Sequence, residues 1–139
     1  MNHENQEYLG HQALELWKSG NLQEAERYFI KAIQQDPDAS MAYHFLTGFY
    51  LEQKQLDKAK ALLMLSVKKF PEYEAGYHLD FAKIASLEKD KETALLHLKL
   101  AREAGFDNDE MILEDAKLDF IRKSSEFWEL MEMPCGKEA

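Results

Sequence analysis

The chain has 139 residues, enough for one domain with a continuous core, and a 45% hydrophobic content excludes a disordered polymer. Its 26 acids against 17 bases leave a net charge of −9, which argues against a nucleic-acid partner because no basic stripe can neutralise phosphates. A single cysteine, Cys135, excludes an internal disulfide framework or a cysteine zinc site, and no apolar run is long enough to span a bilayer.

Met1–Gln6 is polar with no apolar stretch behind it, so a secretory signal is not expected and a cytoplasmic location is. From Leu9 the apolar residues fall at helical spacing rather than in alternation. Leu9, Ala13, Leu16 and Trp17 make one stripe, and Leu22, Ala25, Phe29, Ala32 and Ile33 make the next. Between them Gly20 suits a helix end, while Asn21 with Glu24 three residues on suits a helix start. The pattern returns from about Ser40 to Gln53 and from about Leu56 to Lys69, around a chemically weaker turn at Lys54-Gln55. Pro37 and Pro71 lie 34 residues apart, and the positions before them match pairwise. The pairs are Leu9 with Tyr43, Ala13 with Thr47, Leu16 with Tyr50, Ala25 with Ala59, Phe29 with Leu63 and Ile33 with Val67. A fixed period of this length marks a repeat array. A third unit carries one extra residue near Glu72–Gly76: Asp90 caps its second helix, and Ala94, Leu98 and Ala101 repeat Ala25, Phe29 and Ala32. Ala82 is then the small residue of its first helix; a register on Tyr77, Phe81 and Ile84 is the alternative.

The period, the alanine twelve residues before a proline, and the small residue between Leu or Tyr pairs resemble the tetratricopeptide repeat, over about residues 4–106. Leu9, Ser66 and the extra residue depart from the family pattern. The resemblance implies an all-α, right-handed solenoid of antiparallel helix pairs, at about 4–37, 38–71 and 72–106, with the first helix of each pair lining a concave groove. Residues 107–133 then read as a C-terminal helical cap over the last pair, anchored by Leu118, Phe120, Ile121, Phe127, Trp128 and Leu130. The alternative for that segment is a tethered ligand for a groove. Residues 134–139 read as a flexible tail. The part from Glu103 onward holds 11 acids and 4 bases, so it is the acidic end of the chain.

Catalysis and cofactors are not expected. There is no glycine-rich phosphate loop, serine elbow or paired-histidine zinc motif. His11, His44 and His78 recur 33 and 34 residues apart, yet they differ in helical phase and lack an obvious carboxylate second shell, so no metal site is expected.

Helical phase turns one face of each first helix toward the groove. These faces carry His11, Leu14, Trp17 and Lys18, then Met41, His44, Phe45, Gly48 and Leu51 or Glu52, then Leu79, Asp80 and Lys83. Leu14, Trp17 and Leu51 could instead pack between helices. Exposed apolar groups of this kind mark binding faces. The family's grip on the carboxylate tails of heat-shock chaperones needs basic and amide groups; the matching residues here are Gly10, Leu14, Phe45, Gly76 and Asp80, so that ligand is not expected. The expected function is a non-enzymatic module that binds a protein or peptide segment in this groove, as a monomer and without membrane contact. The alternative is a structural module that self-associates through the groove or an end face.

Overall fold

A computed structural model describes residues 6–136, among which the backbone forms nine α-helices and no strand. The chain divides into two compact units, Met1–Phe70 and Pro71–Ala139.

The first unit holds α1 (Gln6–Lys18), α2 (Leu22–Gln35), α3 (Ser40–Glu52) and α4 (Leu56–Lys69), each packed on the next. Two antiparallel hairpins result, α1 with α2 and α3 with α4. Their contact faces are the expected stripes: Leu9, Ala13, Ala25, Phe29 and Ala32 in the first, Tyr43, Leu46, Thr47, Tyr50, Ala59 and Leu63 in the second, all buried. The buried Thr47 hydroxyl donates to the Tyr43 carbonyl at 2.8 Å, and the Ser66 hydroxyl to the Leu62 carbonyl at 2.9 Å, so neither leaves an unsatisfied donor. Tyr50 fixes α2 to α3 by donating its hydroxyl to Glu26 at 2.8 Å, and Lys58 on α4 donates to the same carboxylate at 3.0 Å. Burial opposes the Glu26 charge, but those two hydrogen bonds outweigh it and hold the carboxyl below its usual value.

The second unit begins with a single 3₁₀ turn at Pro71–Tyr73 and continues with α5 (Glu74–Leu87) and α6 (Lys91–Glu103), a third hairpin. Ala82 is fully buried, as are Ala94, Leu98 and Ala101. The register on Ala82 is therefore the one adopted. Asp90 caps α6 by accepting from the Thr93 amide at 3.2 Å. Three short helices follow, α7 (Asp109–Glu114), α8 (Asp119–Arg122) and α9 (Ser125–Glu132), with a 3₁₀ turn at Ala116–Leu118. Ile112, Leu118, Ile121 and Phe127 join Leu79, Ala82, Leu98 and Ala101 in one core, so the C-terminal segment and the third hairpin share their interior.

One anchor behaves differently from the sequence expectation. Phe127 is fully buried, but the Trp128 indole is 48% exposed, standing edge-on to Phe127 at 5.0 Å and donating its N–H to the Arg122 carbonyl. The expected tail is also partly tied down. Arg102, buried in the unit, donates to Asp109 at 2.6 Å and to the Met133 carbonyl at 2.7 Å. Its own carbonyl accepts from the Gly136 amide at 2.7 Å, so residues 134–136 turn back onto α6; residues 137–139 lie outside the described part.

The helix ends explain why the turns recur. After α1, Gly20 takes φ +86°, while the Asn21 amide reaches the Leu16 carbonyl and the Gly20 amide the Trp17 carbonyl. This left-handed C-terminal cap satisfies two orphan carbonyls. The same paired bonds follow α3 and α5, but there the left-handed residues are Lys54 (φ 56°) and Lys89 (φ 65°). A side chain in that conformation is strained by its Cβ. The Lys54→Gly variant should therefore unfold with a free energy about 1 kcal/mol higher than wild type, read by denaturant titration. The cap gives a second expectation. Phe127→Ala should cost about 3–5 kcal/mol as a fully buried aromatic, whereas Trp128→Ala should cost well under half as much. Equal losses would mean that both rings are buried.

Candidate functional site

The site lies within the first unit, in a cleft of about 510 Å³ between α1 and α3. From α1 come Glu7, Tyr8, Gly10, His11 and Leu14; from α3 come Met41, Ala42 and Phe45. The hollow has a simple cause. Gly10 and Ala42 are too small to fill the space between the two helices, and a Cβ built on Gly10 would meet nothing within 4 Å. The bulkier Leu14, Met41 and Phe45 stand around them, with Met41 56% exposed. Among the described residues Glu7 is the one carboxylate that lines the cleft. No lysine, arginine or asparagine among the described residues lines it.

Of the residues expected to line a groove, four line this cleft: His11, Leu14, Met41 and Phe45. His44 is exposed beside them, its ring 5.7 Å from that of Phe45. Gly48, one turn further along α3, has open space where a side chain would stand. Four others are engaged elsewhere. Trp17 packs edge-on against Phe49 at 5.3 Å and Phe29 at 6.3 Å, so its ring stabilises the junction of α1, α2 and α3 instead of the cleft. Leu51 is likewise buried. Leu79 is 2% exposed and belongs to the core of the second unit. Lys83, also in that unit, reaches Asp115 at 3.1 Å and Asp80 at 4.0 Å. Burial opposes the Asp115 charge, yet the Lys117 amide and the Lys83 ammonium hold its carboxyl below the usual value. These four fail for one reason: helical phase defines a face, but only packing decides which face is covered.

Glu7, Tyr8, Gly10 and Ala42 were not in the expected set. Glu7 and Tyr8 extend the His11 and Leu14 stripe back by one turn, a signal present in the spacing. Gly10 and Ala42 contribute by being small, which leaves no apolar signal to follow.

The histidines also part company. His11 and His44 stay with the first unit, while His78 places its Nδ1 3.0 Å from Nδ1 of His97 on α6. Among the described residues no three His, Cys, Asp or Glu side chains are grouped to hold a metal ion. Nor, among them, is any helix long and apolar enough to cross a membrane.

Paired helices repeating at a fixed period, with the first helices of two successive pairs flanking an apolar cleft, define a helical-repeat protein. Residues 16–79, a little under half of the chain, match the tetratricopeptide repeat family, and the helical pairs are consistent with such repeats. The match runs from the end of α1 into α5. No curated protein matches the sequence. Tetratricopeptide-repeat domains generally mediate protein–protein interaction and are typically not enzymes.

The site yields a prediction about the fold. Gly48→Ala should stabilise the first unit by about 1 kcal/mol, because a mid-helix glycine is replaced where nothing obstructs the methyl. A calorimetric melting temperature at or below that of wild type would mean that the space beside Gly48 is filled.

Proposed function

We propose that this protein is a non-enzymatic interaction module that holds an apolar peptide segment in the cleft between α1 and α3. One observation carries the reading: Leu14, Met41 and Phe45 surround an unfilled hollow floored by Gly10 and Ala42. A peptide side chain entering it removes apolar surface from water on both partners. Glu7 sets the polarity. It favours a segment with Lys or Arg beside the apolar anchor and disfavours an anionic chain terminus, since among the described residues no lysine or arginine lines the cleft to receive one. The acceptor is thus the reverse, in charge, of a carboxylate clamp.

Peptide selection on the whole chain, followed by titration of the selected peptides, tests the reading. Two variants separate binding from folding. Gly10→Leu fills the hollow from a position with free space and improves helix propensity, so it should fold at least as well as wild type and lose binding. Phe45→Glu replaces an aromatic lining residue by a charge and should weaken binding by about thirtyfold or more, the effect of losing an aromatic anchor. Selected peptides that bind both variants as well as wild type would move the site elsewhere. Light scattering on the same samples addresses the alternative: a dimer that Gly10→Leu dissolves would make a second copy of this chain the occupant.

A further inference from the structure

The third hairpin differs from the other two at one matched pair of positions. Where the first has Leu9 facing Tyr28 and the second has Tyr43 and Leu62 at the same register, the third has His78 and His97. An apolar pair has been replaced by two imidazoles in a partly buried place. Their Nδ1 atoms are 3.0 Å apart and their ring centres 5.2 Å apart. With the nitrogens that close, so large a separation of centres means that the rings meet end to end, the arrangement of one proton held in line between two nitrogens. A metal ion bound by both would need the rings to converge on a common point beside them.

The neighbours assign the proton. Glu74 lies one turn before His78 on α5, with its Oε1 3.5 Å from His78 Nε2. A carboxylate at that distance favours a proton on Nε2, which leaves the His78 Nδ1 lone pair to accept from His97 Nδ1. The Phe81 ring, 5.2 Å from that of His97, closes the apolar side. Burial, and then the proximity of His78, push the His97 pKa below the usual imidazole value. Charges on the elements packed around the hairpin are committed to other partners. Asp115 binds Lys83 and Lys117, Asp119 binds Arg122, Lys91 binds Glu126 and Arg102 binds Asp109. Glu72, in the turn before α5, bears on Tyr77.

From this geometry we infer that His78 and His97 form an acid-sensitive latch between α5 and α6. The pair accepts one proton between its rings whether it is neutral or carries a single positive charge. A second proton places two N–H groups and two charges face to face, with no acceptor between them, and the latch opens.

The sign follows from linkage. His97 is held neutral in the fold, whereas in the unfolded chain it titrates near the usual value of about 6.5, so below that pH the unfolded state binds more protons and stability falls. The test is denaturant unfolding of the whole chain at about pH 7.5 and about pH 5, for wild type and for His97→Leu, which installs the residue of the second repeat. Across that interval the wild-type unfolding constant should rise severalfold more than that of the variant, because the unfolded wild-type chain takes up a proton that the paired rings exclude. If His97→Leu fails to fold, His78→Tyr, again borrowed from the second repeat, serves in its place. Nitrogen-15 NMR of the imidazoles at neutral pH supplies an independent readout, in which His97 should carry its proton on Nδ1 and His78 on Nε2. Parallel pH profiles for wild type and variant overturn the latch. So does finding both rings protonated on Nε2, and so does a zinc-induced, chelator-reversible rise in stability, which would give the two nitrogens to a metal.

Discussion

Two helices joined by a short turn can lie close together only where a side chain ends at its Cβ. Ala25, Ala59 and Ala94 occupy that point on the second helix of each hairpin and are fully buried, with Ala13, Thr47 and Ala82 as their small counterparts on the first helices. Once these contacts are set, the large residues on either side have defined places. Phe29, Leu63 and Leu98, four residues beyond each alanine, fill the space that the close approach leaves, and they too are buried. The constraint cannot be relaxed locally, because a larger residue at the alanine would separate the helices along their whole length. That is why the period is visible at all.

The same constraint explains what could be read in the sequence. Helix pairs, turns and the buried alanines follow from local spacing, and spacing survives in a single chain. Even the weak turn at Lys54 was legible as weak, and it proves to hold a lysine in the left-handed conformation where the first turn has Gly20. The groove was less legible. Trp17 and Phe45 are both aromatic residues on first helices, and periodicity treats them alike. One is enclosed by Phe29 and Phe49, while the other borders a cleft. The difference lies in residues distant in the chain, so no window of the sequence contains it. Leu79 and Lys83 failed similarly, the first covered by the core of its own unit and the second engaged by Asp115, 32 positions away.

A binding surface built this way depends on missing atoms. The cleft between α1 and α3 exists because Gly10 and Ala42 stop short, and the residues around it are ordinary helix formers. Among the described residues an apolar lining with one carboxylate supplies affinity for a side chain and a bias in charge, but little directional hydrogen bonding. Such a site suits recognition of a segment by shape and burial more than by a fixed set of donors.

The second unit carries the logic further, since matched repeat positions need not carry matched chemistry. Ile33 and Val67 correspond to Arg102, which is buried, and what makes the substitution tolerable is the segment after α6. Asp109 supplies the counter-charge, and the carbonyls of Met131 and Met133 take guanidinium hydrogens that an isolated hairpin would leave bare. The His78 and His97 pair follows the same rule on a smaller scale. Each imidazole is admissible because the other completes it, with Glu74 fixing which nitrogen bears the proton. Where polar groups are buried in pairs, the hairpin becomes dependent on proton count or on its C-terminal partner, dependences that the apolar repeats before it do not have.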